Sequence, residues 1–260
     1  MFRKSTPAKR IPEGARQYRA YVVGDIHGRL DLLDELLGKI HDDLDRNPIN
    51  KAVIVFVGDL IDRGPDSAGV IERLRNYARP GVKPIFLLGN HEEVLLRILE
   101  GDPSHIAQWL TFGGAQCLAS YGADPLTIRG MSDNAALSAI RSAIPVSHTH
   151  FLHGFGDSFR FGDYVIVHAG VRPGVALDQQ LQSDLRWIRQ PFLEDDRDHG
   201  FVVVHGHTIT DGVDERPNRI GIDTGAYASG VLTALVIEGP DRWYLDTNRS
   251  SIASFAALGR

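Results

Sequence analysis

Five short apolar runs, each followed at once by a polar cluster, constrain the fold of this chain more than any other sequence feature. The runs are four to six residues long and rich in β-branched side chains. Because both faces of each run are apolar, they are typical of buried strands. The clusters that follow them lie at 24–28, 58–64, 89–92, 168–170 and 205–208. Leucine, isoleucine and valine recur at helical spacing between the runs, and this alternation predicts an α/β sandwich with crossover connections.

Residues 101–163 interrupt the alternation. They contain Ala-rich helical segments, and they predict a helical insertion that caps the site. The apolar runs at 231–237 and 242–245 are expected to be antiparallel strands that close a second sheet. The sequence predicts three parts: a flexible basic N-terminal arm at 1–19, a single domain at 20–246 and a C-terminal tail at 247–260.

Composition excludes several classes of protein. The single cysteine, Cys117, excludes an internal disulfide and a cysteine-cluster metal site. The net charge of -5 disfavours a general nucleic-acid-binding role. The basic N-terminus lacks the apolar core of a secretory signal, and no run reaches the roughly 18 apolar residues of a membrane span. We therefore expect a cytoplasmic protein that binds neither nucleic acid nor membrane.

The polar clusters favour a metal site. In open α/β sheets, the carboxyl ends of the strands are where ligands bind, and the five clusters supply Asp, Asn and His side chains at such ends. A lone Gly-Asp or His at a strand end is more often structural, but five in a consistent order favour a shared role. Oxygen and imidazole donors without thiolate suit Mn, Fe or Zn better than Mg or Ca.

Three of the clusters resemble a known family. Gly-Asp-Ile-His-Gly at 24–28, Gly-Asp-Leu-Ile-Asp-Arg-Gly at 58–64 and Gly-Asn-His-Glu at 89–92 are similar to the signature blocks of the calcineurin-like metallophosphoesterases. The Asp-Arg-Gly and Asn-His-Glu spellings resemble the phosphoprotein phosphatase branch, and in particular its small bacterial and bacteriophage-type members. The likeness extends to about residue 237. It implies the metallophosphoesterase β-sandwich, in which two mixed sheets are flanked by helices, with a helical cap insertion.

The resemblance also implies a centre of two divalent metal ions. Manganese is expected first, with iron or zinc as alternatives. Metal one would be held by Asp25, His27 and Asp59. Metal two would be held by Asp59, Asn90, His168 and His207, with Asp59 bridging the two ions. Ile209 occupies a position where other metallophosphoesterases carry a second His, and this departure matches the phosphoprotein phosphatase branch.

Catalytic roles follow from the same resemblance. A hydroxide bridging the metals would attack phosphorus in line, and His91 would protonate the leaving oxygen. Asp62 would orient His91, while Arg63 and Arg189 would grip the phosphate oxygens. Arg186 is a weaker alternative to Arg189.

Other polar residues are expected to have supporting roles. We interpret His205 as structural, and Asp223 and Thr224 as supports behind the metal ligands. His148, His150 and His153 lie in the insertion, and we interpret them as a polar lid surface.

Three functions remain open from the sequence. The leading hypothesis is a serine/threonine protein phosphatase, with phosphotyrosine as an additional substrate, acting on a phosphorylated protein or peptide. One alternative is a symmetrical diadenosine tetraphosphate hydrolase, which shares the same blocks. The other is an inactive scaffold with this fold, which would be expected to lose His91 or several ligands; this sequence keeps them.

Overall fold

Ten strands form two five-stranded sheets in the computed structural model, which describes residues 11–248. In chain order the strands are β1 (Arg19–Val23), β2 (Ala52–Phe56), β3 (Val82–Phe86), β4 (Ser158–Phe161), β5 (Tyr164–Val167), β6 (Val202–His205), β7 (Asp214–Glu215), β8 (Arg219–Gly221), β9 (Thr233–Glu238) and β10 (Asp241–Asp246). The first sheet has the order β10-β9-β1-β2-β3, and the second has the order β4-β5-β6-β8-β7.

Both sheets are mixed. In the first, β1, β2 and β3 are parallel, whereas β9 is antiparallel to β1 and to β10. In the second, β5, β6 and β8 are parallel, with antiparallel partners at both edges. The predicted pair of mixed sheets is confirmed. The prediction that the runs at 231–237 and 242–245 close the second sheet is wrong, because β9 pairs with β1 of the first sheet.

Ten α-helices surround the sheets in the described part of the chain. They are α1 (Leu30–Arg46), α2 (Ser67–Arg75), α3 (Asn90–Glu100), α4 (Ile106–Trp109), α5 (Ala115–Ser120), α6 (Pro125–Arg129), α7 (Asp133–Ala143), α8 (Val146–His153), α9 (Gln182–Trp187) and α10 (Ala226–Ser229). A π-helical turn at Leu110–Gly114 separates α4 from α5, and short 3₁₀ turns lie at Pro103–His105, Leu177–Gln179 and Phe192–Glu194. Among residues 11–248, no helix is both long and apolar enough to cross a membrane.

The first sheet is covered on both faces. Tyr21 and Phe56 point toward a core that includes Leu36 of α1, whereas Val22 points into a second core with Ile166 of the other sheet. Successive strand residues point to opposite faces, so a strand covered on both sides must be apolar throughout. This explains the continuous apolar runs in the sequence.

Three of the predicted boundaries need correction. The insertion at 101–163 is helical as far as His153, but its last residues form β4, which pairs with β5 of the second sheet. The predicted arm is not free at its C-terminal end: Gly14 N–H donates to Gly239 O at 2.7 Å, and β1 begins at Arg19. Thr247, in the predicted tail, is buried and donates to Leu232 O. The remainder of the arm and of the tail lies outside the described residues.

Candidate metal centre

The predicted ligands come together where the parallel strands of both sheets end. β1 leads into Asp25 and His27, β2 into Asp59, and β3 into Asn90 at the start of α3. From the second sheet, β5 leads into His168 and β6 leads into His207. All six side chains are buried.

The backbone at this centre is strained. The non-glycine residues with positive φ in the described chain are Gln17, His27, Asp59, Asp62, Arg63 and His207, and all except Gln17 are predicted site residues. A side chain in the left-handed region costs free energy and persists only where the surrounding structure imposes it. Such strain clusters at functional sites, so its position agrees with the predicted centre.

Two glycines allow the chain segments to approach closely. A Cβ on Gly206 would lie 1.9 Å from Asp25 Oδ1. A Cβ on Gly58, whose φ is +105°, would lie 2.4 Å from the backbone nitrogen of Gly89. Both glycines are therefore required for the strand ends to meet.

Asp59 belongs to two groups of ligand atoms. His27, Asp59 and His91 have ligand atoms within 4.8 Å of one another, and so do Asp59, His168 and His207. This shared position is what a bridging carboxylate requires.

Asn90 completes the second group. Its Oδ1 lies 3.0 Å from His168 Nε2 and 2.8 Å from His207 Nδ1. His168 Nε2 is also 3.4 Å from Asp59 Oδ1. The four side chains predicted for metal two therefore converge on one point.

The first group differs in part from the prediction. His27 Nε2 lies 3.6 Å from Asp59 Oδ2, as expected, but the third member by distance is His91 and not Asp25. Asp25 Oδ2 accepts a hydrogen bond from His207 N–H at 3.0 Å.

Backbone contacts set the tautomers of two imidazoles. His27 Nδ1 donates to Ile61 O at 2.8 Å, and His168 Nδ1 donates to Val57 O at 3.0 Å. Each ring therefore presents the lone pair of Nε2 to the centre, which is how a metal-binding histidine is oriented. Burial lowers the pKa of His27 and of His207 to about 3, so these rings are neutral, the form that binds metal.

The carboxylates are crowded. Burial and then the charges of Asp223 and Asp59 raise the pKa of Asp25 well above its ordinary value. For Asp59, burial acts in the same direction, but the facing imidazoles, led by His168, outweigh it and lower its pKa.

A divalent cation fits these residues. Asp25 Oδ1, Asp223 Oδ2 and His27 Nε2 are buried and have no hydrogen-bond partner within residues 11–248. Buried acceptors without partners are costly, and a cation ligated by them would remove that cost. The donor set of oxygen and imidazole is also one that divalent transition metals accept.

His91 is held beside the ligands by a buried carboxylate. Its Nδ1 donates to Asp62 Oδ2 at 2.6 Å, and Asp62 also accepts from Trp109 Nε1 at 3.0 Å. His91 Nε2 lies 3.9 Å from Asp59 Oδ2. Burial lowers the pKa of His91, but Asp59 and Asp62 more than compensate and raise it to about 9.

A cavity of about 420 Å³ opens beside this pair. Arg63 and Arg189 both line it, together with the aromatic rings of Trp109, Phe112 and Trp187. Arg186 instead forms ion pairs with Asp157 at 2.5 Å and with Glu93 at 3.5 Å. The geometry therefore favours Arg189 over Arg186 as a ligand for an anion.

Two residues at the centre have roles that the sequence did not predict. Glu92 is fully buried and accepts hydrogen bonds from the backbone N–H groups of Asp59, Leu60, Ile61 and Gly89. Its place in the third signature block was a signal, but its role was not assigned. Tyr227 packs against Arg63 and His27, and no motif marked it.

The remaining candidates lie around the centre or away from it. His205 donates to Gly206 O and is in neither ligand group, which agrees with a structural role. Asp223 lies beside Asp25 and accepts from Gly225 N–H, while Thr224 Oγ1 donates to Val231 O.

The lid-surface interpretation is wrong for His148. Its ring is buried and contacts Glu72 and Tyr121, because α8 packs on α2. His150 and His153 are exposed, in agreement with that interpretation.

Comparison with known proteins agrees with this geometry. The family model for calcineurin-like phosphoesterases matches residues 18–231. Serine/threonine-protein phosphatase 1 of Salmonella typhimurium is 30% identical over 237 residues, which cover 86% of this chain and 94% of the relative. The asymmetrical bis(5'-nucleosyl)-tetraphosphatase PrpE of Anoxybacillus flavithermus is 28% identical over 237 residues, which cover 82% of this chain and 88% of that relative.

A solved structure shares the fold. A chain described provisionally as a diadenosine tetraphosphatase superposes with a TM-score of 0.64 at 21% identity, and the match covers 90% of this chain and 98% of that one. The matched family region contains all the predicted metal ligands. This chain therefore belongs to the calcineurin-like phosphoesterase family.

Proposed function

We propose that this chain is a two-metal phosphomonoesterase that removes phosphate from phosphoserine or phosphothreonine in a protein or peptide, with phosphotyrosine as a further substrate. Metal one is assigned to Asp25, His27 and Asp59. Metal two is assigned to Asp59, Asn90, His168 and His207. Manganese is the metal we expect first, with iron or zinc as alternatives.

One observation carries the proposal. Asp59 is shared by two groups of ligands, and the His91–Asp62 pair lies directly beside it. When bound, two divalent metals supply Lewis-acid charge that activates water near neutral pH and holds the phosphoryl oxygens. Hydrolysis also needs a proton donor on the side of the leaving oxygen, and a scaffold protein would have no need of one.

The chain's own residues supply the remaining steps. Arg63 and Arg189 line the cavity from different segments and bind the phosphate oxygens as guanidinium forks. His91 Nε2 donates its proton to the leaving oxygen. Asp62 keeps the other ring nitrogen protonated and fixes the plane of the imidazole, as a carboxylate partner does in other catalytic pairs.

A dinucleotide polyphosphate is the second candidate substrate. One relative is named an asymmetrical bis(5'-nucleosyl)-tetraphosphatase, whereas the alternative considered from the sequence was symmetrical cleavage. Phe112 and Trp187 line the cavity and are 58% and 42% exposed. Exposed aromatic faces stack well on nucleobases, and this favours keeping the candidate.

The deciding experiment is a substrate panel with several metals. Purified protein is assayed with phosphoserine, phosphothreonine and phosphotyrosine peptides, p-nitrophenyl phosphate and diadenosine tetraphosphate, each with manganese, iron or zinc. Phosphate release from the phosphoserine and phosphothreonine peptides that exceeds dinucleotide cleavage in kcat/KM is the expected result.

The other outcomes are equally informative. Turnover of the dinucleotide alone would refute the protein phosphatase proposal. No turnover of any substrate with any metal would favour the scaffold. The Asp59→Asn variant is the control for contaminating phosphatase, because it keeps the side-chain volume while removing the shared ligand charge.

A further inference from the structure

The ring of Tyr227 lies against two residues of the metal centre. The Arg63 guanidinium carbon is 4.9 Å from the ring centroid, within the range of a cation–π contact. The imidazole of His27 meets the same ring edge to face, with centroids 5.5 Å apart and planes at 85°. Tyr227 therefore joins a predicted phosphate-binding residue to a predicted metal ligand.

The segment that carries Tyr227 is well anchored. The short helix α10 begins after Gly225, whose N–H donates to Asp223 Oδ1 at 2.9 Å. Arg29 Nη1 donates to Ala226 O at 2.9 Å, and Ala226 itself is buried. The ring is 37% exposed but stands on a fixed backbone, so it can serve as a platform.

The Arg63 side chain is held by two ring systems and not by a carboxylate within the described residues. Its side-chain partners within residues 11–248 are His91, with Nη2 3.1 Å from Nε2, and Tyr227, and neither is a carboxylate. Arg186, by contrast, is bound by two carboxylates. An aromatic face orients a guanidinium without neutralising its charge, so the N–H groups that do not face His91 are available for an anion.

The Arg63 backbone is held as well. Its φ of 66° is left-handed, and its N–H donates to Gly113 O at 3.2 Å in the π-helical turn. A long flexible side chain on a fixed backbone still samples several rotamers, and ordering it costs entropy when a ligand binds. A platform that preselects one rotamer removes that cost before the ligand arrives.

We propose that Tyr227 is a positioning residue that holds the Arg63 guanidinium at the metal-facing side of the cavity, ready to bind the substrate phosphate. This rests on the proposed function, because it takes Arg63 as a phosphate ligand. Tyr227 acts through Arg63, and its hydroxyl is not needed.

The test is a double-mutant cycle read by phosphate binding and by kinetics. The variants are Tyr227→Leu, Tyr227→Gln, Tyr227→Phe, Arg63→Ala and the two combinations of Arg63→Ala with Tyr227→Leu or Tyr227→Gln. The affinity for inorganic phosphate is measured by calorimetry on manganese-loaded protein. In parallel, kcat and KM are measured for p-nitrophenyl phosphate, and metal content is measured for each variant.

Tyr227→Leu and Tyr227→Gln should weaken phosphate binding by about 3- to 30-fold. This range is the free energy of a cation–π contact expressed as a change in affinity. Tyr227→Phe should stay within about twofold of the wild type, since the aromatic face remains. In the Arg63→Ala background, the same changes at Tyr227 should cause no further loss beyond about twofold, because residues that act through one another are not additive.

Tyr18→Leu is the matched control. Its ring faces Lys51 Nζ at 5.4 Å in another cation–π contact, just before the first residues of β1 and β2 and therefore at the opposite strand ends from the centre. It should leave phosphate affinity unchanged.

Two results would overturn the inference. The first is an unchanged phosphate affinity in both Tyr227→Leu and Tyr227→Gln. The second is an equal loss with and without Arg63, particularly with reduced metal content, which would mean that Tyr227 acts through His27. A wild-type protein that binds phosphate but hydrolyses no ester would refute the proposed function alone, and the binding cycle would still decide the role of Tyr227.

Discussion

Replacing Glu92 by Gln should destabilise the folded chain far more than the loss of one surface charge would. Glu92 Oε2 accepts from Asp59 N–H at 2.8 Å and from Gly89 N–H at 3.1 Å. Oε1 accepts from Leu60 N–H at 2.8 Å and from Ile61 N–H at 3.2 Å. This carboxylate therefore satisfies four buried backbone donors and shapes the loop that carries Asp59.

The size of this loss of stability follows from the number of hydrogen-bond acceptors that the side chain at position 92 offers. Glutamine has almost the same shape, but only one of its terminal atoms accepts hydrogen bonds. Whichever way the amide is oriented, two backbone N–H groups must face an NH₂ group. A buried donor left without a partner costs about 1–3 kcal/mol, so two of them predict a loss of about 2–6 kcal/mol. That is a large part of the roughly 5–15 kcal/mol that stabilises an ordinary domain.

Urea unfolding followed by circular dichroism measures this loss. The protein is kept in a chelator, so that metal binding does not contribute to the free energy of unfolding. Glu35→Gln is the control, because the contact of Glu35 within residues 11–248 is a surface pair with Lys39 at 3.0 Å, and its loss should change stability by less than about 1 kcal/mol. If Glu92→Gln lies within about 1 kcal/mol of the wild type at an unchanged m-value, the four-donor account of this residue is refuted.

Three further predictions concern the centre. His91→Ala should keep its metal content but lower kcat on the order of 10²–10⁴-fold; unchanged turnover would reject the proton-donor role. Asp59→Asn should reduce occupancy at both metal positions, since this residue belongs to both ligand groups, and elemental analysis that finds two full equivalents would contradict its bridging position. Trp109→Phe removes the indole N–H that donates to Asp62, so kcat should fall about 10-fold with metal content retained, and a kcat equal to the wild type would show that Asp62 needs no such support.

Much of the candidate metal centre could be anticipated from the sequence because its residues lie in short motifs at strand ends. Asp25 and Asp59 each follow a glycine within three residues of the end of a strand, and the carboxyl ends of parallel strands lie at one edge of the sheet. Arg189 and Arg186 show the limit of this reasoning. They are three residues apart, and only the positions of Asp157 and Glu93 show that Arg186 is the one already paired with carboxylates.

The amino-acid sequence by itself predicted seven of the ten strands, the first three helices and the order of the candidate ligands along the chain, because apolar periodicity and turn residues act over a few neighbouring positions. It missed the strands β4, β7 and β8, which are two to four residues long and lie at or next to an edge of the second sheet. The tertiary structure alone decided that β9 joins the first sheet, that Glu92 binds four backbone donors and that Tyr227 supports Arg63. Each of these depends on contacts between segments far apart in the chain: Tyr227 is 164 positions from Arg63. No local pattern encodes such a distance, since it is set only when both sheets have packed together.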